Sequence, residues 1–190
     1  LADDLDFDEF MIGEHHSGGW ETMPLPEMAL SMAAANAHRI RLGTSVVNLP
    51  FHHPFHVAER IAFLDHLTRG RAILGIGPSN LVTDKRLFAI AQDTLYPMMR
   101  ESVDLIVKFL ETSDPFDHDG EFWSFRDMRL QLRSYQQPRL PLAIASTSGS
   151  DDVLDLAARH GMILMSGVGK KRPKGLAENW ARFGELATNY

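Results

Sequence analysis

Two stretches hold the side chains best suited to chemistry: residues 10–20, FMIGEHHSGGW, and residues 40–54, IRLGTSVVNLPFHHP. Each is a short apolar run that halts at histidines, glycines or prolines, the pattern of a buried strand ending in a turn. In parallel α/β proteins the reactive groups sit just past the carboxyl ends of such strands. Glu14, His15, His16, Asn48, His52 and His53 are therefore the candidate site residues. A histidine there can hold or move a proton near neutral pH. By residue type alone, Glu14–His16 reads equally as a proton-handling group or as a hydrogen-bonded cap on a loop. His52 and His56 stand i, i+4, a spacing that can bind zinc on a helix. Pro54 falls between them, and no further partner sits at a familiar interval. No metal is expected, and a metal-dependent hydrolase built on His15, His16, His52 and His53 is the outlying alternative.

The elements that must position these groups alternate along the chain. Strands are expected at residues 10–12, 40–49, 71–77, 140–146 and 161–166. Helices are expected at 24–38, 54–68, 97–111, 151–160 and 176–188, with prolines opening the first two and Gly70 closing the second. Asp65 is expected to pair with Arg69 or Arg71 and tie helix to strand. Alternation of this kind gives βα units and a parallel sheet with all strand ends on one face. Residues 112–137 break the rhythm and read as an insertion or hairpin, with a turn at Asp119-Gly120. Residues 167–174, GVGKKRPK, read as a mobile basic loop.

Composition excludes several classes. The 190 residues carry a net charge of −6, which argues against a broad nucleic-acid-binding face. There is no cysteine, hence no disulfide and no thiolate metal site. No apolar run reaches membrane-spanning length and no signal-like start is present, so a cytoplasmic protein is expected. The opening LADDLDFDEF has no initiator methionine and reads as the end of a helix running into a strand, so residues are expected upstream.

At IGEHHSGGWE, LGTSVVNLPFHHP, LDHLTRGRAILGIGPSN and LPLAIASTS the chain resembles the luciferase-like flavin monooxygenases, most of all their limonene-monooxygenase branch. The resemblance implies an α/β fold of the (β/α)8 TIM-barrel type, of which residues 1–190 form a single partial domain covering about strands two to six. It implies a monooxygenase that uses reduced FMN from a separate flavin reductase, and O2, to oxidise a small hydrophobic substrate, acting as a homodimer or higher oligomer. His15 matches the family's catalytic histidine, with Glu14 and His16 beside it. Thr44, Ser45, Val46 and Asn48 fall on the strand that lies under the flavin ring in similar proteins, with a non-proline cis peptide implied at Ser45–Val46. An arginine found after the fourth-strand glycine motif in bacterial luciferases is replaced here at or near Pro78. Phosphate binding then falls to Gly77 and Ser79, and more strongly to Ser146, Thr147 and Ser148, a hydroxyl-rich turn before a helix. The plainer alternative is that Ser150 or its neighbour caps that helix. Trp20, Met23 and Phe51 would line an apolar substrate pocket. Two other readings stay open under the same resemblance: hydride transfer with a deazaflavin, and a non-catalytic, truncated flavin-binding barrel.

Overall fold

The computed structural model describes residues 1–19, 22–146, 149–166 and 173–190. They form two compact units, Leu1–Leu140 and Pro141–Tyr190.

In the first unit, strand β1 (Glu9–Ile12) leads through helix α1 (Pro26–Ala34) to β2 (Arg41–Thr44) and β3 (Val47–Asn48). A 3-10 turn at Leu49–Phe51 passes the chain to α2 (Pro54–Thr68), which feeds β4 (Ala72–Gly77). A short helix α3 (Val82–Leu87), the long α4 (Leu95–Glu111) and a hairpin of β5 (Phe116–Asp119) and β6 (Ser124–Met128) follow. The pairings β1–β2, β2–β4 and β3–β4 are all parallel. The expected βα alternation is thus present, and the irregular stretch is an antiparallel hairpin.

The run expected as one strand over 40–49 is broken in two. Gly43 pairs with Ile73 while Val47 pairs with Ile76, so four steps on one strand oppose three on the other. That extra residue is a β-bulge. It falls where the Ser45–Val46 peptide is cis, the bond implied by the family resemblance. The bulge is tied to β1 at two points: Ser45 N–H donates to Ile12 O at 2.7 Å, and Glu14 N–H donates to Val46 O at 3.2 Å.

Strand β4, AILGIG, is buried at every position, as a central parallel strand should be. Helix α2 packs against β4 and α4 against α2; Val57, Ile61 and Leu64 of α2 and Met99, Ile106 and Phe109 of α4 are essentially inaccessible to water. Helix α1 is shorter than expected: Pro26 occupies its first turn, and the helix ends at Ala34, short of His38. Helix α2 has the expected bounds. Its C-terminus closes with Arg69 at φ 55° and Gly70 at φ 82°, and Gly70 N–H donates to Asp65 O at 2.9 Å.

Asp65 does not pair with either arginine. Its buried carboxylate accepts Gln136 N at 2.9 Å and Gln136 Nε2 at 2.7 Å. Arg71 instead donates to the carbonyls of Ala37, Ile40 and Thr68. A buried carboxylate needs donors placed by the fold, and the segment after the hairpin brings two from one glutamine. Arg71 is better used where three backbone carbonyls converge.

The second unit holds a parallel pair, β7 (Leu142–Ser146) and β8 (Ile163–Ser166), with α5 (Asp151–Arg159) between them and α6 (Pro173–Ala187) after. Asp151 and Arg182 join α5 to α6 at 2.9 Å, an ion pair that holds the Asp151 carboxyl below its usual range. The residues expected as a basic loop lie, at 167–172, outside the described residues. Helix α6 takes up residues 173 and 174.

Candidate functional site

The side chains singled out by sequence gather at the carboxyl ends of β1, β3 and β4, around two buried carboxylates. The first is Glu14, on the turn after β1, whose side chain is fully buried. His16 Nε2 lies 2.7 Å from its Oε1, and His52 Nε2 lies 3.0 Å from its Oε2. Asn48 adds two bonds: its backbone N–H donates to Glu14 Oε2 at 3.0 Å, and its Nδ2 donates to Glu14 O at 3.0 Å. Burial pushes the Glu14 carboxyl up. The bonds from His52, His16 and the Asn48 amide outweigh it, and the group is held below the ordinary carboxylate range. An ionised carboxylate only accepts, so both imidazoles present an N–H to it.

The second carboxylate is Asp84, on α3, also without exposure to water. His15 Nδ1 stands 3.5 Å from Asp84 Oδ2. The same oxygen accepts the His16 backbone N–H at 3.4 Å, and Ser17 Oγ donates to Oδ1. Here too burial raises the pKa and the donors, Ser17 first, more than offset it, so Asp84 stays ionised. His15 and His16 thus diverge to different acids. His15 keeps a quarter of its side chain open to solvent, at 27 %, whereas both acids are sealed. An ionised acid behind a part-exposed imidazole orients the ring. The backbone of His15 is pinned from the other side by a bridge to Met23, with His15 N–H donating to Met23 O at 3.1 Å.

One wall of the site is aromatic. Phe51 and Phe88 stack with centroids 4.3 Å apart, and His16 meets the edge of Phe88 at 4.8 Å and of Phe51 at 5.9 Å. Asp84 and Phe88 were not foreseen from sequence, because α3 has no strong apolar period. The one available signal was an acid a few residues past the end of a buried strand.

Other expected site residues fall elsewhere. His53 is a helix cap: its Nδ1 accepts Phe55 N–H at 3.2 Å, leaving that ring nitrogen engaged with α2. The Thr44 hydroxyl is shared with β4, donating to Gly75 O at 2.7 Å and accepting Gly75 N–H at 2.9 Å. Its side chain therefore joins strands. Ser45 is exposed and Val46 half-buried at the bulge. Gly77 is needed for a close approach: a Cβ there would lie 2.8 Å from Val46 Cγ2. Ser79, at φ 73°, carries a buried hydroxyl with no partner among the described residues. In the second unit the Ser146 hydroxyl at the end of β7 is likewise buried and without a partner among the described residues. Ser150 takes the N-cap position of α5 but makes no side-chain cap bond. Trp20, Thr147 and Ser148 lie outside the described residues.

The profile of the luciferase-like monooxygenases matches residues 1–190, the full length of the chain. The chain is 40% identical to 4-hydroxyprotoasukamycin monooxygenase of Streptomyces nodosus subsp. asukaensis over 86% of this chain and 44% of that protein. It is 37% identical to limonene 1,2-monooxygenase of Rhodococcus erythropolis over 94% of this chain and 46% of that protein. It also superposes on the oxygenating constituent of 3,6-diketocamphane monooxygenase from Pseudomonas putida, a structure in complex with FMN. The TM-score is 0.87 at 26% identity, over 99% of this chain and 54% of that one. The chain belongs to the luciferase-like monooxygenase family and has its fold, the α/β barrel type expected from sequence. It spans about half the length of the curated relatives it matches.

Proposed function

We propose that this chain is part of a flavin-dependent monooxygenase that uses reduced FMN, delivered by a separate reductase, and O2 to oxidise a small hydrophobic substrate. The observation that carries the reading is the paired arrangement at the strand ends: a part-exposed His15 backed by ionised Asp84, beside a sealed Glu14–His16–His52 cluster. Reduced flavin, when bound, would supply the electrons that activate oxygen. The chain's own residues would supply the rest. His15 would hold or deliver a proton at the reacting centre, with Asp84 fixing its ring. Phe51, Phe88 and Met23 would exclude water on the substrate side. Two buried hydroxyls without a partner among the described residues, that of Ser79 just past β4 in the first unit and, separately, that of Ser146 at the end of β7 in the second, would each suit an acceptor-rich group such as a phosphate. Two of the three named relatives carry limonene and diketocamphane in their names, which supports a small hydrophobic substrate here.

The test uses the full-length protein. Mixing it with photoreduced FMN and oxygen should give a transient absorbance that outlives that of free reduced flavin under the same conditions. Its absence at saturating flavin would defeat the proposal. His15→Ala should lose substrate oxidation while keeping FMN affinity. A deazaflavin bound far more tightly than FMN would move the assignment to hydride transfer.

A further inference from the structure

From its geometry we propose that Glu14, His16 and His52 form a binding site for one divalent transition-metal ion of the zinc type. The flavin reading uses no metal, and the proposal adds one to the cluster that stands beside His15. The three side chains come from two turns, after β1 and after β3, and meet with all their ligand atoms within 4.8 Å of one another. The two short separations, 2.7 Å from His16 Nε2 to Glu14 Oε1 and 3.0 Å from His52 Nε2 to Glu14 Oε2, bracket the carboxylate from both ends.

Those spacings suit shared coordination. Zinc sits about 2.0–2.2 Å from imidazole nitrogen and carboxylate oxygen. Two such ligands on a tetrahedral ion are about 3.4 Å apart, so each imidazole would draw back by less than about 1 Å from the Glu14 oxygen it now bonds. An ion held by the carboxylate would enter where His16 and His52 keep 15 % and 12 % of their side chains exposed. Two imidazoles and a carboxylate match the nitrogen–oxygen preference of zinc, cobalt(II) and nickel(II), and suit calcium or magnesium poorly. The proton account is simple. Each imidazole now presents Nε2–H to Glu14; on metal binding that proton would leave to solvent and the neutral ring would take its one proton on Nδ1 instead, which frees the Nε2 lone pair for the ion. The Asn48 N–H bond to Glu14 Oε2 is the outer contact that fixes the carboxylate's orientation. His53 and His56, next in sequence, are excluded by their own engagements with Phe55 N–H and Glu59. Of the His52 and His56 pair suggested by spacing, the proposed site uses His52 alone.

The experiment titrates full-length, chelator-stripped protein with Zn2+ by calorimetry and with Co2+ by visible absorption. The expected result is one ion per chain and cobalt bands of a centre with nitrogen and oxygen ligands, lost on zinc addition. His52→Ala should weaken zinc by about 100-fold, at least the loss seen when ligand-supporting contacts are removed. Glu14→Gln should do the same, and if it fails to fold, His16→Ala replaces it. His56→Ala should leave affinity unchanged. Sub-stoichiometric binding, or an affinity that survives His52→Ala, would overturn the proposal. So would loss of binding in His56→Ala.

Discussion

At the residue scale the site is a division of labour between two acids. Glu14 is sealed and bonded by two imidazoles and an amide, so it organises its surroundings and is not itself presented to a substrate. Asp84 supports His15, which is more open to solvent than His16 or His52. Asp84 is thus a positioning residue in the proposed reaction. Asp84→Asn removes the charge but keeps the shape, and should lower kcat at least about tenfold by loosening the orientation and tautomer of the His15 ring. FMN affinity should stay the same. Stopped-flow titration separates this from a merely structural loss, which would weaken FMN binding as well.

At the element scale, the bulge between β2 and β3 decides how the histidine-bearing turns are presented. Gly77 is where that depends on a missing side chain. In Gly77→Ala the new Cβ would lie 2.8 Å from Val46 Cγ2, and Val46 is held by the bulge, with its carbonyl bonded to Glu14. Overpacking of this kind costs about 1–3 kcal/mol. The variant should show a lowered Tm and weakened FMN binding together, whereas unchanged FMN affinity would mean the bulge does not shape the cofactor site. Elements with strong local signals were legible in the sequence: α2 with its opening proline and closing glycine, the all-apolar β4, the hairpin near Gly120. The bulge was visible only through family resemblance, since a Thr-Ser-Val-Val run carries no mark of an extra residue. Helix α3 was missed because six residues give too little periodicity. The partner of Asp65 was missed because Gln136 lies 71 positions away, and sequence spacing ranks the nearby arginines first. Residue order alone could place Glu14, His15 and His16 just past the carboxyl end of β1. Which acid serves which histidine could not, because that depends on the turn each side chain takes after β1.

At the scale of the molecule, two features govern how the 190-residue chain behaves. One is acid response. The Asp3 carboxylate accepts the backbone N–H groups of His38, Arg39 and Ile40, which tie the N-terminal segment to the turn before β2. The bonds from His38 and Ile40 lower its pKa from 3.8 to about 2. A lowered carboxyl pKa means the tie is complete above the ordinary value and is lost as pH falls from 3.8 toward about 2. Amide exchange at residues 38–40 should accelerate over that window and, in Asp3→Ala, should already be fast at neutral pH. Exchange that stays slow in Asp3→Ala would show that the carboxylate is not what holds the turn.

The other feature is an open edge. Among the described residues β1 is hydrogen-bonded to β2 alone, and Phe10 on that strand is 41% exposed, with Phe7 just before it 58% exposed. An edge with apolar side chains and unpaired backbone groups invites a further strand. The 190-residue polypeptide should therefore associate as its concentration rises, with light scattering giving a mass above that of one chain. Phe10→Lys sets a charge on the edge, the device natural sheets use against pairing, and should return the polypeptide to a monomer without lowering its Tm by more than about 1 kcal/mol of stability would. If Phe10→Lys associates as the parent does, the contact lies elsewhere on the surface. The exposed Met28 and Met32 of α1, with Phe63 and Leu67 of α2, would be the next place to test.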